Sequence, residues 1–270
     1  MSGARAAACI LGALAFAVAP TFATPGSAES LGKSHKCHGV IATIVGTDGL
    51  DVLRGRHGRD VVWAGPGADV IRSLAGNDLV CAGSGADDVR SRSGGDVVFG
   101  GAGDDRIRTG GGKDKAHGNR GADMLVLGPG NDRTWRLYGA HDPGNDVIYG
   151  GRGNDGLGSG RGDDVVYGGP GSDYLGDREP DGSGIGGLAW PPGADTLFAG
   201  GGRDAVGAGR GPATMYGGPG RDALCGGPSL DRIDGGKSLD EADRDATTER
   251  RVHADPVTRV ERIRPFCALL

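Results

Sequence analysis

The sequence predicts an all-β solenoid, and three observations point there. Gly is 57 and Pro 14 of 270 residues, about a quarter of the chain, while aromatics are only 5%. Without a period, such a composition reads as disorder; with one, it reads as a repeat architecture. The period is present: GTDGLDVLR, GRHGRDVVW and AGPGADVIR run end to end from 46 to 72. Glycine returns at the fourth place of each unit, aspartate at the sixth and an aliphatic residue at the eighth.

Counted in nines, ten repeats run from 46 to 135, four from 141 to 176 and six from 190 to 243. Insertions at 136–140 and 177–189 break the frame. Place six is Asp in 19 of these 20 units: Asp51, Asp60, Asp69, Asp78, Asp87, Asp96, Asp105, Asp114, Asp123, Asp132, Asp146, Asp155, Asp164, Asp173, Asp195, Asp204, Asp222, Asp231 and Asp240. Ala213 is the exception. Place four is Gly in 18, with Ser229 and Ser238 departing, and place eight is a large aliphatic residue or Met in 17.

Each place has a physical reason. Places seven to nine form a short strand whose branched side chains suit a pleated surface. Alternation sends place eight to one side and places seven and nine to the other. The turn is Gly-rich because tight turns need positive φ and stacked loops must approach closely. One unit cannot bury its aliphatic residue alone, so stacking must align the place-eight residues into a thin core, expected to be one residue wide.

The segments outside the repeats read as a leader and two caps. MSGAR and the apolar run AAACILGALAFAVA, ending at Pro20, resemble a secretory signal of residues 1–23. Thr21-Phe22-Ala23 is an acceptable cleavage site, Gly26-Ser27-Ala28 a second one, and an uncleaved anchor is the rival reading. Residues 24–45 and 244–270 are expected to cap the two ends, with the alternation Val257, Arg259, Glu261, Ile263 suited to a last strand. Export would leave Cys37, Cys81, Cys225 and Cys267, an even number that suggests two disulfides. The net charge of -5, with both signs interleaved, does not call for a nucleic acid partner.

The pattern resembles the RTX, or haemolysin-type, calcium-binding repeat GGxGxDxUx. The full GGxGxD form stands at GGAGDD (100–105), GGRGND (150–155), GGPGSD (168–173) and GGPGRD (217–222). The resemblance implies a parallel β-roll, a β-solenoid of about 20 nonapeptide half-turns, two per coil, with Ca²⁺ ions between stacked turns. The 19 aspartates would then be the metal ligands. The chemistry agrees independently. Ca²⁺ takes 6 to 8 oxygens, from carboxylates and backbone carbonyls. In an 18-residue coil Asp51 stacks on Asp69 and Asp60 on Asp78, and carboxylates that close repel unless a cation lies between them. Hydrogen bonding of each Asp to its own turn is the structural rival. The Ala213 turn is expected to bind weakly or not at all. Ser at 229 and 238 resists the positive φ that Gly accepts.

In such a coil alternate repeats share a face. One outer face carries Arg54, Arg72, Arg90 and Arg108; the other carries Trp63, Cys81, Phe99, His117 and Trp135, flanked by Val61, Leu79 and Val97. The face that Tyr149, Tyr167, Phe198 and Tyr216 join stays open, because it depends on the path of the insertions. Val45 should stack in line with Trp63 and then Cys81, and eight residues from Cys37 to Val45 reach up to roughly 26 Å. A Cys37–Cys81 bridge would therefore pin the N-terminal segment over the aromatic face, leaving Cys225 for Cys267. The cluster HKCH (35–38) is better read through that disulfide than as a metal site.

Neither HExxH nor GxSxG occurs, and GSGIGG (182–187) lies in an insertion without a βαβ unit, so an enzyme is not expected. The functional expectation is a secreted, extracellular calcium-binding protein whose folding Ca²⁺ drives. The alternative is a module that binds a cell-wall or matrix polymer through the Arg or the aromatic ladder.

Overall fold

The computed structural model describes residues 34–134, 144–176, 193–208, 211–226, 230–236 and 241–243. Within them the chain is a parallel β-solenoid. It alternates between two sheets every nine residues, so each strand pairs with the one a full coil later. The ten-stranded sheet runs from Val52–Arg54 to Arg232–Asp234, and the eleven-stranded sheet from Ile44–Val45 to Glu241–Asp243. Register is unbroken: Leu53 lies beside Ile71, Ile71 beside Val89 and Val89 beside Ile107. Among the described residues no helix is long and apolar enough to cross a membrane.

The insertions leave this register intact. Met124 pairs with Val147 and Val165 with Thr196. The matching Asp–Asp hydrogen bonds span 23 and 31 residues instead of 18. The differences, 23 − 18 = 5 and 31 − 18 = 13, equal the two insertion lengths. The strands on either side of each insertion therefore keep the register they would have without it. This settles the open placement: Tyr149, Tyr167, Phe198 and Tyr216 continue the Arg54–Arg108 column, through Val126.

Two expectations about the core need correction. Many strands are six residues long rather than three, as in Val61–Pro66, Leu79–Ser84 and Arg106–Gly111. They run through place nine into the next turn, so alternation turns place one inward as well as place eight. Ala64, Ala82, Leu127 and Ala199 at place one join Val62, Ile71, Val80, Ile107 and the other place-eight residues in one continuous cluster. The core is two columns wide, with mostly small residues where the chain turns (Leu127 is the large exception) and mostly large ones in mid-strand.

The N-terminal segment folds onto the eleven-stranded sheet as expected. Lys36–Cys37 pairs antiparallel with Val40–Ile41, and His38 and Gly39 make the tight turn at positive φ of 44° and 85°. Val45 pairs with Trp63 and Trp63 with Cys81. Cys37 bonds Cys81, and Cys37, Val61 and Phe99 form a second, small buried cluster. His35 stacks on Trp63 with ring centroids 4.2 Å apart, and His38 and His117 stack on Phe99 at 3.8 and 5.0 Å. Burial under this cover, and then the charges of His38 and Lys115, lower the His117 pKa to about 4. HKCH is thus a disulfide anchor with two aromatic lids. Cys225 is disulfide-bonded, and its expected partner Cys267 lies outside the described residues. Trp135, the expected signal segment, the insertions and the expected C-terminal cap lie outside them too.

Candidate metal centres in the stacked turns

The turns stack along the two edges of the coil, and their backbones nearly touch. A Cβ on Gly85 would collide with the carbonyl oxygen of Gly67 one turn below, and one on Gly103 with that of Gly85. Both glycines also sit at positive φ, 122° and 125°. At these two positions place four is glycine for both reasons; at Gly130, Gly144, Gly193 and Gly211 the close carbonyl is the reason. Place two takes positive φ as well, and here the chain tolerates Leu74 (83°), Arg92 (83°) and Asn119 (73°). Positive φ alone therefore does not disqualify a non-glycine residue in these turns. Ser229 and Ser238 lie outside the described residues.

The place-six aspartates form two files, one along each edge. One holds Asp51, Asp69, Asp87, Asp105, Asp123, Asp146, Asp164 and Asp195, then Ala213 and Asp231. The other holds Asp60, Asp78, Asp96, Asp114, Asp132, Asp155, Asp173, Asp204 and Asp222. Asp240 lies outside the described residues. From Asp60 to Asp222 the second file is buried throughout, and the first is buried from Asp69 to Asp164.

The two oxygens of each carboxylate have different surroundings. Oδ1 accepts a hydrogen bond from the backbone N–H of the aspartate one coil earlier. Asp69 N–H donates to Asp87 (2.7 Å), Asp87 N–H to Asp105 (2.8 Å) and Asp105 N–H to Asp123 (2.7 Å). The other file repeats this from Asp60 N–H to Asp78 (2.8 Å) through Asp204 N–H to Asp222 (3.0 Å). The structural reading of these residues is therefore correct in part, but the bond ties neighbouring coils rather than closing one turn. Ala213 breaks the file: its own N–H still donates to Asp231 (2.9 Å), but it offers no oxygen to the coil before.

Oδ2 is the exception to normal polar satisfaction. In Asp69, Asp87, Asp105 and Asp123, and in Asp78, Asp96, Asp132, Asp155, Asp173 and Asp204, it is buried with no hydrogen-bond donor; Asp114 and Asp164 differ in that the place-one hydroxyls of Thr109 and Ser159 lower their pKa by hydrogen bonding. A buried acceptor left unpaired costs about 1–3 kcal/mol, more if charged. The Oδ2 atoms face the first place of their own repeat: a Cβ on Gly150 would lie 2.6 Å from Asp155 Oδ2 and 2.7 Å from the Gly168 carbonyl oxygen. Carboxylate and carbonyl oxygens thus converge beside a glycine. Asp51 and Asp60, at the start of each file, differ. Thr47 donates to Asp51 Oδ2 from N–H (2.6 Å) and Oγ1 (3.0 Å), and Arg56 N–H donates to Asp60 Oδ2 (2.7 Å).

Burial raises the pKa of these groups. Asp105 is pushed up to about 8, Asp96, Asp132 and Asp173 to about 7, and Asp87, Asp123, Asp164 and Asp204 to about 6. Desolvation is the leading cause in every case. The inter-coil hydrogen bond opposes it, and neighbouring carboxylates add to it in smaller measure. The repulsion expected from stacking is real but second to burial.

Among the described residues, no three His, Cys, Asp or Glu side chains gather as a ligand cluster. A nitrogen- or sulfur-seeking metal finds no set of ligands here, whereas a hard cation that accepts backbone carbonyls does. The family model of the RTX calcium-binding nonapeptide repeat, four copies long, matches at 42–71, 58–89, 82–116, 91–125, 99–133, 142–175, 192–215 and 207–240. The chain belongs to the RTX calcium-binding nonapeptide repeat family. No curated protein matches it. Its two files of buried carboxylates are the turns of calcium-binding repeats arranged in a β-roll.

The spacing of the aspartates is legible in the sequence; the unequal roles of their two oxygens are not. Nor is the inward place-one column anticipated. Its signal was present, since place one is Gly, Ala, Ser or Thr in every repeat from Gly46 to Gly118.

Proposed function

We propose that the protein is an exported, non-enzymatic calcium binder whose coil forms when Ca²⁺ enters between the stacked turns. The observation that carries this is the row of buried, donorless Oδ2 atoms. Asp69, Asp87, Asp105, Asp123 and Asp164 would hold ions along one edge, and Asp78, Asp96, Asp114, Asp132, Asp155, Asp173 and Asp204 along the other, with backbone carbonyls completing each shell. When bound, the ion supplies the positive charge that the carboxylates lack. The chain supplies rigidity, because Oδ1 of each of these carboxylates is already held by a backbone N–H of the coil before it. Asp51 and Asp60 are satisfied by Thr47 and Arg56, so these turns close without metal. Asp146, Asp195, Asp222, Asp231 and Asp240 belong to the same two files by register or sequence and are carried as ligands with them.

Export is supported by the N-terminal apolar run and by the Cys37–Cys81 bridge, a bond that persists in oxidising compartments. Calcium outside cells reaches the weak affinities of extracellular modules. A ligand bound only by the folded state stabilises it by mass action. The test is a calcium titration of the chelator-stripped mature chain, followed by far-UV circular dichroism. A cooperative gain of β signal that magnesium does not reproduce is the expected result. A spectrum already folded under chelator would overturn it.

A further inference from the structure

The outer face of the ten-stranded sheet carries an unusual column. Arg54 lies directly beside Arg72, Arg72 beside Arg90 and Arg90 beside Arg108, one arginine per coil on neighbouring strands. All four are exposed, as is Arg106 next to them. Like charges directly opposite on adjacent strands destabilise a sheet. One carboxylate relieves the column: Asp88 lies 2.7 Å from Arg90 and 3.7 Å from Arg108. Arg54 and Arg72 have no ion pair among the described residues. The protein as a whole is acidic, at -5, so the strip is a local departure.

We infer that this ladder docks a linear anionic polysaccharide, with carboxylates or sulfates running along the solenoid axis. Strands lie about 4.8 Å apart, so four arginines present a straight row about 14 Å long. The row is one residue wide for most of its length, flanked by Val52, Val70 and Asp88. A single extended chain fits such a row; the two phosphate strands of a duplex do not. Single-stranded nucleic acid would want ring faces for its bases, and none of the described rings lies on the arginine row itself. Tyr149, Tyr167, Phe198 and Tyr216 stack on one another at 4.8 Å with planes within 4°, so the rings in the middle of the stack turn only edges outward. On the other sheet Trp63 and Phe99 lie under the N-terminal hairpin. Recognition therefore falls to the guanidinium groups, whose planar forks suit carboxylate and sulfate oxygens. The inference rests on the calcium reading in one respect: the row exists only where the coil has formed.

The test uses the mature chain in millimolar calcium with fluorescent heparin as probe, and neutral dextran and a thymidine oligonucleotide as controls. Circular dichroism is read on the same samples. Heparin should bind, dextran should not, and the oligonucleotide should bind at least about tenfold more weakly. Replacing Arg54, Arg72, Arg90 and Arg108 by Ala should cut heparin affinity by more than about tenfold with the β signal unchanged. The slope of log K against log salt should fall by about one for each arginine removed. Arg72→Glu alone should weaken binding further than Arg72→Ala. A folded wild type that ignores heparin, a fourfold variant that binds as well as wild type, or an oligonucleotide that binds as tightly would each overturn the inference. If the coil proves folded without calcium, the calcium reading fails, and the heparin result still decides the ladder.

Discussion

In the first half of the coil, residues 46–134, the aromatic residues lie on the eleven-stranded sheet beneath the N-terminal hairpin, and the ten-stranded sheet carries arginine. In the second half, place nine of the ten-stranded sheet carries aromatic rings instead of arginine. Tyr149, Tyr167, Phe198 and Tyr216 stack on the ten-stranded sheet, and the eleven-stranded sheet carries Gly158, Gly176 and Gly207 at the equivalent place. Strand lengths follow. On the eleven-stranded sheet Leu79–Ser84, Val97–Ala102 and Lys115–Arg120 have six residues, whereas Gly156–Leu157 has two and Tyr174–Gly176 and Ala205–Gly207 have three. Glycine offers no side chain to pack and loses the most backbone freedom on ordering. The place-eight column, by contrast, continues through both halves, from Leu53 to Leu224. A repeat of this kind separates the two tasks: places one, four, six and eight hold the coil, and place nine is free to vary by region.

The largest effect should come from the carboxylates, which both halves share. Because folding raises their pKa, the metal-free coil binds more protons than the unfolded chain between about pH 4 and pH 8, and loses stability as pH rises through that window. Under chelator, β signal should therefore be greater near pH 5 than near pH 8, in both halves by hydrogen exchange. Calcium should reverse the trend, since it binds the ionised form. A metal-free coil that gains stability from pH 5 to pH 8 would contradict the burial described.

The disulfide should divide the halves. Cys37 and Cys81 are 44 residues apart, and a loop of that length is worth about 4 kcal/mol in the chain-entropy account. Cys37→Ser should lower stability by up to that amount and redden Trp63 emission, with added hydrogen exchange confined to the first half. Equal loss of protection in 144–236 would mean that the halves do not open separately.

Core truncation should treat them alike. Ile107 and Leu175 are both fully buried at place eight, one in each half. Ile107→Ala and Leu175→Ala should each cost about 3 kcal/mol in chemical denaturation with calcium present. A gap of more than about 1 kcal/mol between them would show that the frame is not equivalent along its length.

The smallest effects lie on the outer faces and differ in sign. Tyr167 stacks between two rings, and each such pair contributes about 0.5–1.5 kcal/mol beyond its area, so Tyr167→Ala should destabilise by about 1–3 kcal/mol. Arg72→Ala removes a charge lying between two others and should stabilise the isolated protein slightly, by less than about 1 kcal/mol. Loss of stability in thermal melts of Arg72→Ala would show that the arginines support the fold themselves.

The sequence by itself determined the architecture of this protein. The nine-residue recurrence of Gly, Asp and an aliphatic residue specifies stacked units, and the matched family supplies two units per coil. From that register follow the Asp files, the Arg row and the reach of Cys37 to Cys81. A period carries this far because every coil repeats one local arrangement. Only the tertiary structure decided matters that depend on where one coil meets the next. It set Oδ1 against the neighbouring N–H and left Oδ2 without a donor. It turned place one inward, so that Ala64 and Leu127 share the core with Val62 and Ile148. It also kept the strand register across both insertions, which put Tyr149 in line with Arg108 rather than with Trp63. The contacts between coils join residues about 18 or more positions apart, and local propensity does not act over that distance.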